Sequence, residues 1–162
     1  MVKLVNFLDE TFEKQYDTLL WRNSESVSKY FLIKLIEPNV HVKWLESLQE
    51  CPPSNVAFFI NYKDENVGVT YFKHIDYIYK IADWGIYIHK KKVRGKGIGT
   101  IVLKNCIKYA IHELNLDELY LDVLSSNYRA IKLYENMGFY AIAKNNNVTR
   151  YKKVLKRRDY CD

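Results

Sequence analysis

The chain has 162 residues, 48% of them hydrophobic and 27% charged, which is the size and balance of one globular domain with one hydrophobic core. No apolar run approaches the roughly 20 residues of a membrane span, the N-terminus lacks a signal peptide's basic-then-apolar layout, and Cys51, Cys106 and Cys161 show no metal-ligand spacing, so a cytoplasmic protein with reduced thiols and no metal is expected. The net charge of +6 is concentrated at Lys90, Lys91, Lys92, Arg94 and Lys96, where an anionic partner is expected, and at Lys152, Lys153, Lys156, Arg157 and Arg158, read as a solvated tail.

In chain order, Val2 to Leu8 alternates as a short strand. A helix follows with Phe12, Tyr16, Leu19 and Leu20 at its apolar positions. After Trp21-Arg22-Asn23, Ser24 is placed to cap a second short helix through Val27 and Tyr30. Pro38 suits the first turn of a third helix, on which Val42, Leu45 and Leu48 recur at helical spacing until Pro52 and Pro53 stop it. Three strands then form a meander: Val56 to Tyr62 and Val67 to Ile75 around Lys63-Asp64-Glu65-Asn66, and Tyr77 to His89. A helix from Ile98 to Leu114 carries Leu103, Cys106, Ile107, Ala110 and Leu114 on one stripe. Leu119 to Val123 is a strand, and Ser125-Ser126-Asn127 caps a helix ended by Gly138. Phe139 to Ala143 and Val148 to Val154, parted by Asn145-Asn146-Asn147, read as a closing hairpin. This order predicts an α+β fold with one parallel crossover and neither repeat nor linker.

Half of the six glycines, Gly95, Gly97 and Gly99, lie between the strand-like Ile86-Tyr87-Ile88 and the helix that follows. A glycine-rich bend at a helix start leaves backbone N–H groups unpaired and aimed at one point, where the helix dipole also favours an anion. A bound pyrophosphate is therefore expected, with Arg94 and Lys96 adding charge beside it. A Walker A loop is excluded because no Gly-Lys-Ser/Thr stands at the required spacing. A dinucleotide loop is excluded because Thr100 occupies the position of its third glycine and no βαβ unit precedes it.

Arg94-Gly95-Lys96-Gly97-Ile98-Gly99 resembles the Arg/Gln-x-x-Gly-x-Gly/Ala signature of the GNAT superfamily of acetyl-CoA-dependent N-acetyltransferases. Asn127 to Phe139 resembles the second signature of that family, Asn-x-x-Ala-x-x-Leu-Tyr-x-x-x-Gly-Phe, about thirty residues further on. The resemblance implies a mixed sheet of about seven strands with helices on both faces and a splayed parallel strand pair holding acetyl-CoA. It implies that Ile86, Tyr87 and Ile88 offer backbone groups to pantetheine, that Arg94 to Thr100 (with Gly95, Lys96, Gly97, Ile98 and Gly99) hold the pyrophosphate, and that Asn127 lies near the pantetheine arm. Tyr134, two helical turns after Asn127, would protonate the departing thiolate; a core tyrosine is the structural alternative. Asp83 stands where many members carry a strand glutamate and would deprotonate the amine, directly or through water; a solvated strand carboxylate is its alternative. His89, on the same strand, is assigned to the loop surface.

The acceptor is addressed by the N-terminal third. Trp21-Arg22-Asn23 with His41-Val42-Lys43-Trp44 is similar to the pattern of aminosugar acetyltransferases of the pseudaminic acid pathway, which acetylate a UDP-linked 4-amino-4,6-dideoxy sugar. That likeness implies that Arg22 and His41 contact the nucleotide diphosphate with Trp44 packed nearby; Trp44 also reads as core. A basic chain suits such an anion better than a polycation. The expected partners are acetyl-CoA and a small amine-bearing substrate, with a homodimer left open. A protein or peptide N-acetyltransferase, or a non-catalytic module binding CoA or nucleic acid, are the alternatives. Nucleic acid is not expected, since no helix-turn-helix, aromatic sheet motif or zinc finger accompanies the basic clusters.

Overall fold

A computed structural model describes residues 1–160; Cys161, one of the three cysteines read above, lies outside them. The elements are β1 (Val2–Asn6), α1 (Phe12–Asn23), α2 (Glu25–Ser28), α3 (Pro38–Ser47), β2 (Val56–Tyr62), β3 (Glu65–Asp76), β4 (Ile81–Ile88), α4 (Ile98–His112), β5 (Glu118–Leu124), α5 (Tyr128–Asn136), β6 (Tyr140–Lys144) and β7 (Val148–Val154). They build a seven-stranded sheet in the order β1-β2-β3-β4-β5-β7-β6, antiparallel except for β4 and β5.

The sheet is covered on both faces. On one, α4 presents Val102, Leu103, Cys106, Ile107, Ala110 and Ile111, all buried, to Phe58, Ile60 and Phe72 of the sheet. Burying each large side chain of that stripe is worth roughly 1.5–3 kcal/mol. On the other, Phe7, Leu45 and Leu48 close over Ala57, Phe59 and Val69, with Trp21 and Trp44 packed around them. Alternate residues of β2 thus serve two separate cores, which is why its sequence reads as an unbroken apolar run.

Three boundaries and the placing of two lysines differ from the sequence reading, each for a local reason. The first strand stops at Asn6, whose side chain accepts from Leu8 N at 2.9 Å and opens a 3-10 turn. The β2–β3 turn is only Lys63-Asp64, both at positive φ, as a two-residue hairpin with right-handed strand twist requires. The third meander strand begins at Ile81, not Tyr77, because Asp76 Oδ1 accepts from Ile78 N and Tyr79 N and holds the chain in a turn. The closing hairpin inserts β7 beside β5 and leaves β6 at the edge. Lys152 and Lys153 accordingly belong to β7 rather than to a tail, and Lys152 pairs with Glu118 at 3.1 Å.

The parallel pair is short. β4 and β5 are joined at Ile81–Glu118, Ala82–Leu119 and Asp83–Tyr120 only. Beyond Asp83, β4 stays with β3 as far as Ile88, and β5 stays with β7 as far as Leu124. The two strands part, and the wedge between them is where the cavities lie.

Candidate active site

The narrower cavity, about 310 Å³, runs from the wedge to the start of α4. Gly95 and Gly97 sit at φ of 78° and 77°, the left-handed region that side chains resist. A Cβ at residue 95 would also collide with the guanidinium of Arg129. Gly97 caps α4 with no side chain, and the first backbone bond of the helix runs from Ile101 N to Gly97 O. The N–H groups of the preceding turn, at Ile98, Gly99 and Thr100, therefore have no acceptor within the helix. Arg94, Gly95, Gly97, Ile98, Gly99 and Thr100 line this cavity with Ile86, Tyr87 and Ile88. A pyrophosphate fits here, met by main-chain donors and a helix N-terminus.

The charges beside the loop are distributed differently from the expectation. Arg94 donates from Nε and Nη2 to Ile88 O at 2.8 and 2.6 Å, and from Nη2 to Ser26 O at 3.1 Å. Its guanidinium ties the end of β4 to α2 through Nε and Nη2, while Arg94 remains part of the cavity's lining. Lys96 is exposed and does not line the cavity. Lys90 and Lys92 reach Glu65 at 2.7 and 3.7 Å. The cation that does overlie the loop is Arg129, from the first turn of α5. Sequence reading passed over it because it occupies a variable position of the second signature; its place in the helical turn after Asn127 was the available signal.

Six residues line both cavities: Tyr30, Phe31, Ile86, Tyr87, Asn127 and Tyr134. Asn127 is also the cap of α5, its Oδ1 accepting from Ala130 N at 3.3 Å. Tyr134 is buried at the junction, edge-on to Trp84 at 6.1 Å between ring centroids and tilted against Phe139. Burial, with a smaller contribution from Tyr71, pushes its hydroxyl well above the usual phenol range, so it stays protonated at every physiological pH.

The wider cavity, about 490 Å³, opens toward α1, α3 and the segment 29–37. Arg22 lies over the Phe31 ring at 3.8 Å and donates from Nη2 to Ile33 O at 2.7 Å, while its Nη1 is buried without a partner. Desolvation lowers its pKa, opposed by Tyr71 and Tyr87. His41 is buried, its Nε2 3.4 Å from Thr18 Oγ1 and from Gln15 O; desolvation lowers its pKa, opposed by the backbone of Gln15 and Tyr16. Trp44 stacks on His41 at 5.8 Å and stands edge-on to Phe7 and Tyr71, so it is core and cavity wall at once. Asp83 lines the floor with both oxygens engaged, Oδ1 by Arg150 Nη2 at 2.8 Å and Oδ2 by His74 Nδ1 at 3.1 Å. Burial holds the Tyr71 hydroxyl up at about 12. Gly85 lacks a Cβ because the Tyr71 ring lies against it.

His89 lies in the segment just after β4 and is half-buried there rather than exposed. It stacks on Trp21 with centroids 3.9 Å apart, and desolvation followed by Lys90 lowers its pKa to about 4. Among the described residues no group of three or more His, Cys, Asp or Glu side chains is arranged to hold a metal ion, and no helix is long and apolar enough to cross a membrane.

A model of the acetyltransferase (GNAT) family matches residues 10–139. The acetyltransferase PseH of Campylobacter jejuni is 30% identical over 140 residues, 86% of this chain and 85% of that protein. The crystal structure of C. jejuni PseH with acetyl coenzyme A superposes with a TM-score of 0.71 over 96% of this chain and all of that one, at 24% identity. The spermidine N-acetyltransferase of Vibrio cholerae, solved with CoA and spermine, superposes with a TM-score of 0.80 over 95% of each chain at 19% identity. The parted β4–β5 wedge, the side-chain-free cap of α4 and the family match lead to one conclusion: the chain belongs to the GNAT acetyltransferase family and is an acetyl-CoA-dependent N-acetyltransferase.

Proposed function

We propose that the acceptor is the primary amine of a nucleotide-linked amino sugar, of the UDP-linked 4-amino-4,6-dideoxy kind, and that acetyl passes to it by direct attack in a ternary complex. One observation carries this reading: Arg22, a residue of the wider cavity's lining, keeps a buried Nη1 without a partner. A buried guanidinium donor without an acceptor is costly unless a ligand supplies one, and a diphosphate supplies it best. His41 and Trp44 line the same cavity, with Trp44 offering a ring face to a base or sugar. The likeness to PseH supports the same acceptor class.

Acetyl-CoA brings the activated carbonyl, and the residues of this chain do the rest. The N–H groups of residues 98–100 and Arg129 hold the pyrophosphate, and along Ile86, Tyr87 and Ile88 the backbone groups taken neither by β3 nor by Arg94 meet the pantetheine arm in the wedge. A backbone N–H of this strand polarises the thioester carbonyl. Asp83, held by Arg150 and His74, receives the proton of the incoming amine through water. Tyr134, kept neutral by burial, donates its proton to the departing sulfur.

The test is thiol release with acetyl-CoA and a panel of amines: a UDP-linked 4-amino sugar, a peptide N-terminus and spermidine. The reading expects the nucleotide sugar to give the highest kcat/KM. A peptide in first place would make the protein a peptide N-acetyltransferase, and no turnover of any amine would leave a CoA-binding module.

A further inference from the structure

Arg150, on β7, does not itself line the wider cavity but is bonded to two carboxylates that do. It donates from Nη2 to Asp83 Oδ1 at 2.8 Å and from Nη1 to Asp122 Oδ1 at 3.2 Å, with Cζ 5.0 Å from the Tyr120 ring centroid. Asp122 is its register partner on β5, and Asp83 lies one strand further, on β4, at the last paired residue before the wedge. Both carboxylates line the cavity. A planar fork holds two carboxylates in a fixed geometry, which the compact ammonium of a lysine does not impose. The remaining charges around the pair are Lys73, opposite Asp83 on β3, and His74 at 3.1 Å from Asp83 Oδ2. Lys152 stands by the same Tyr120 ring but pairs with Glu118, so Arg150 is the arginine or lysine bonded to both carboxylates.

We propose that Arg150 determines acceptor specificity: by occupying Asp83 and Asp122 together, it removes the diacid floor on which a polyamine's further ammonium groups would seat. The inference rests on the reading that the acceptor enters through the wider cavity. A polyamine must either displace an internal cation or leave one of its own charges against it, and like charges so placed select against the ligand. An acceptor with one amine and an anionic remainder meets no such opposition.

The experiment compares spermidine with butylamine, a monoamine of the same chain type, by thiol release in wild type and Arg150→Gln. Melting temperature and KM for acetyl-CoA report on folding. The ratio of kcat/KM for spermidine over butylamine rises on the order of tenfold in Arg150→Gln, falls again with added salt, and returns toward wild type when Asp122→Asn is added. Spermidine turnover seen only in the variant supports the same conclusion. If Arg150→Gln does not fold, Arg150→Lys takes its place; it keeps the charge but not the fixed geometry of the fork, and the ratio rises about two- to threefold. An unchanged ratio, or no spermidine turnover in any variant, overturns the proposal. Failure of the nucleotide-sugar reading registers separately, as a wild type inert toward the UDP-linked amine whatever this ratio does.

Discussion

The two cavities meet at Tyr134, but they are made of different material. The narrower cavity has at one end a wall made by main chain: two left-handed glycines, a helix start without a cap side chain, and a strand that has lost its neighbour. The acceptor cavity is bounded by side chains brought from far apart, Arg22 and His41 from the N-terminal helices, Tyr71 and Lys73 from β3, Asp83 from β4 and Asp122 from β5. A main-chain site depends on conformation and is lost by adding a Cβ. A side-chain site depends on charge and shape and is retuned by single substitutions, so one cleft can keep its cofactor while the other changes its acceptor.

Substitutions on either side of the junction sharpen that contrast. The largest effect is expected at the junction itself: Tyr134→Phe lowers kcat by roughly a hundredfold through loss of the acid, with KM for acetyl-CoA little changed. Wild-type turnover in that variant would return Tyr134 to a packing role. Next, Gly95→Ala combines left-handed strain of about 1–2 kcal/mol with displacement of Arg129, raising KM for acetyl-CoA about tenfold while acceptor KM holds. Arg22→Met does the converse, raising acceptor KM by about tenfold through the lost charged hydrogen bond and leaving acetyl-CoA binding alone. Were both constants to move together in either variant, the division into two sites would fail.

A smaller effect is read in stability. His89 has a folded pKa of about 4 against its ordinary 6.5, so the unfolded chain takes up the proton first. Its contribution is complete above 6.5 and is lost as pH falls toward 4; the lowered pKa of His41 acts in the same sense. Melting temperature should therefore drop through that window, and His89→Phe, which keeps a ring against Trp21, should make the slope shallower. Equal slopes would remove His89 from the account. Smallest of all, Lys96→Gln should change KM for acetyl-CoA by less than about twofold, since an exposed lysine beside the loop adds only screened charge.

Local rules made much of this protein readable. Residues that fix φ or cap a helix, such as Pro38, Gly97, Asn127 and Gly138, act within one turn of chain, so the element order and the phosphate-binding bend follow from neighbours alone. The stripe on α4 likewise needs nothing beyond helical period to identify its buried face. Side-chain partners were not readable. That Arg94 ties Ile88 to Ser26, that Arg129 overlies Gly95, that His89 stacks on Trp21 and that Arg150 bridges Asp83 and Asp122 all join residues distant in sequence or on separate elements. Conformation is set by atoms a few bonds away, whereas a charge is committed to whichever opposite charge the packed sheet brings within reach. Only the tertiary structure decides that.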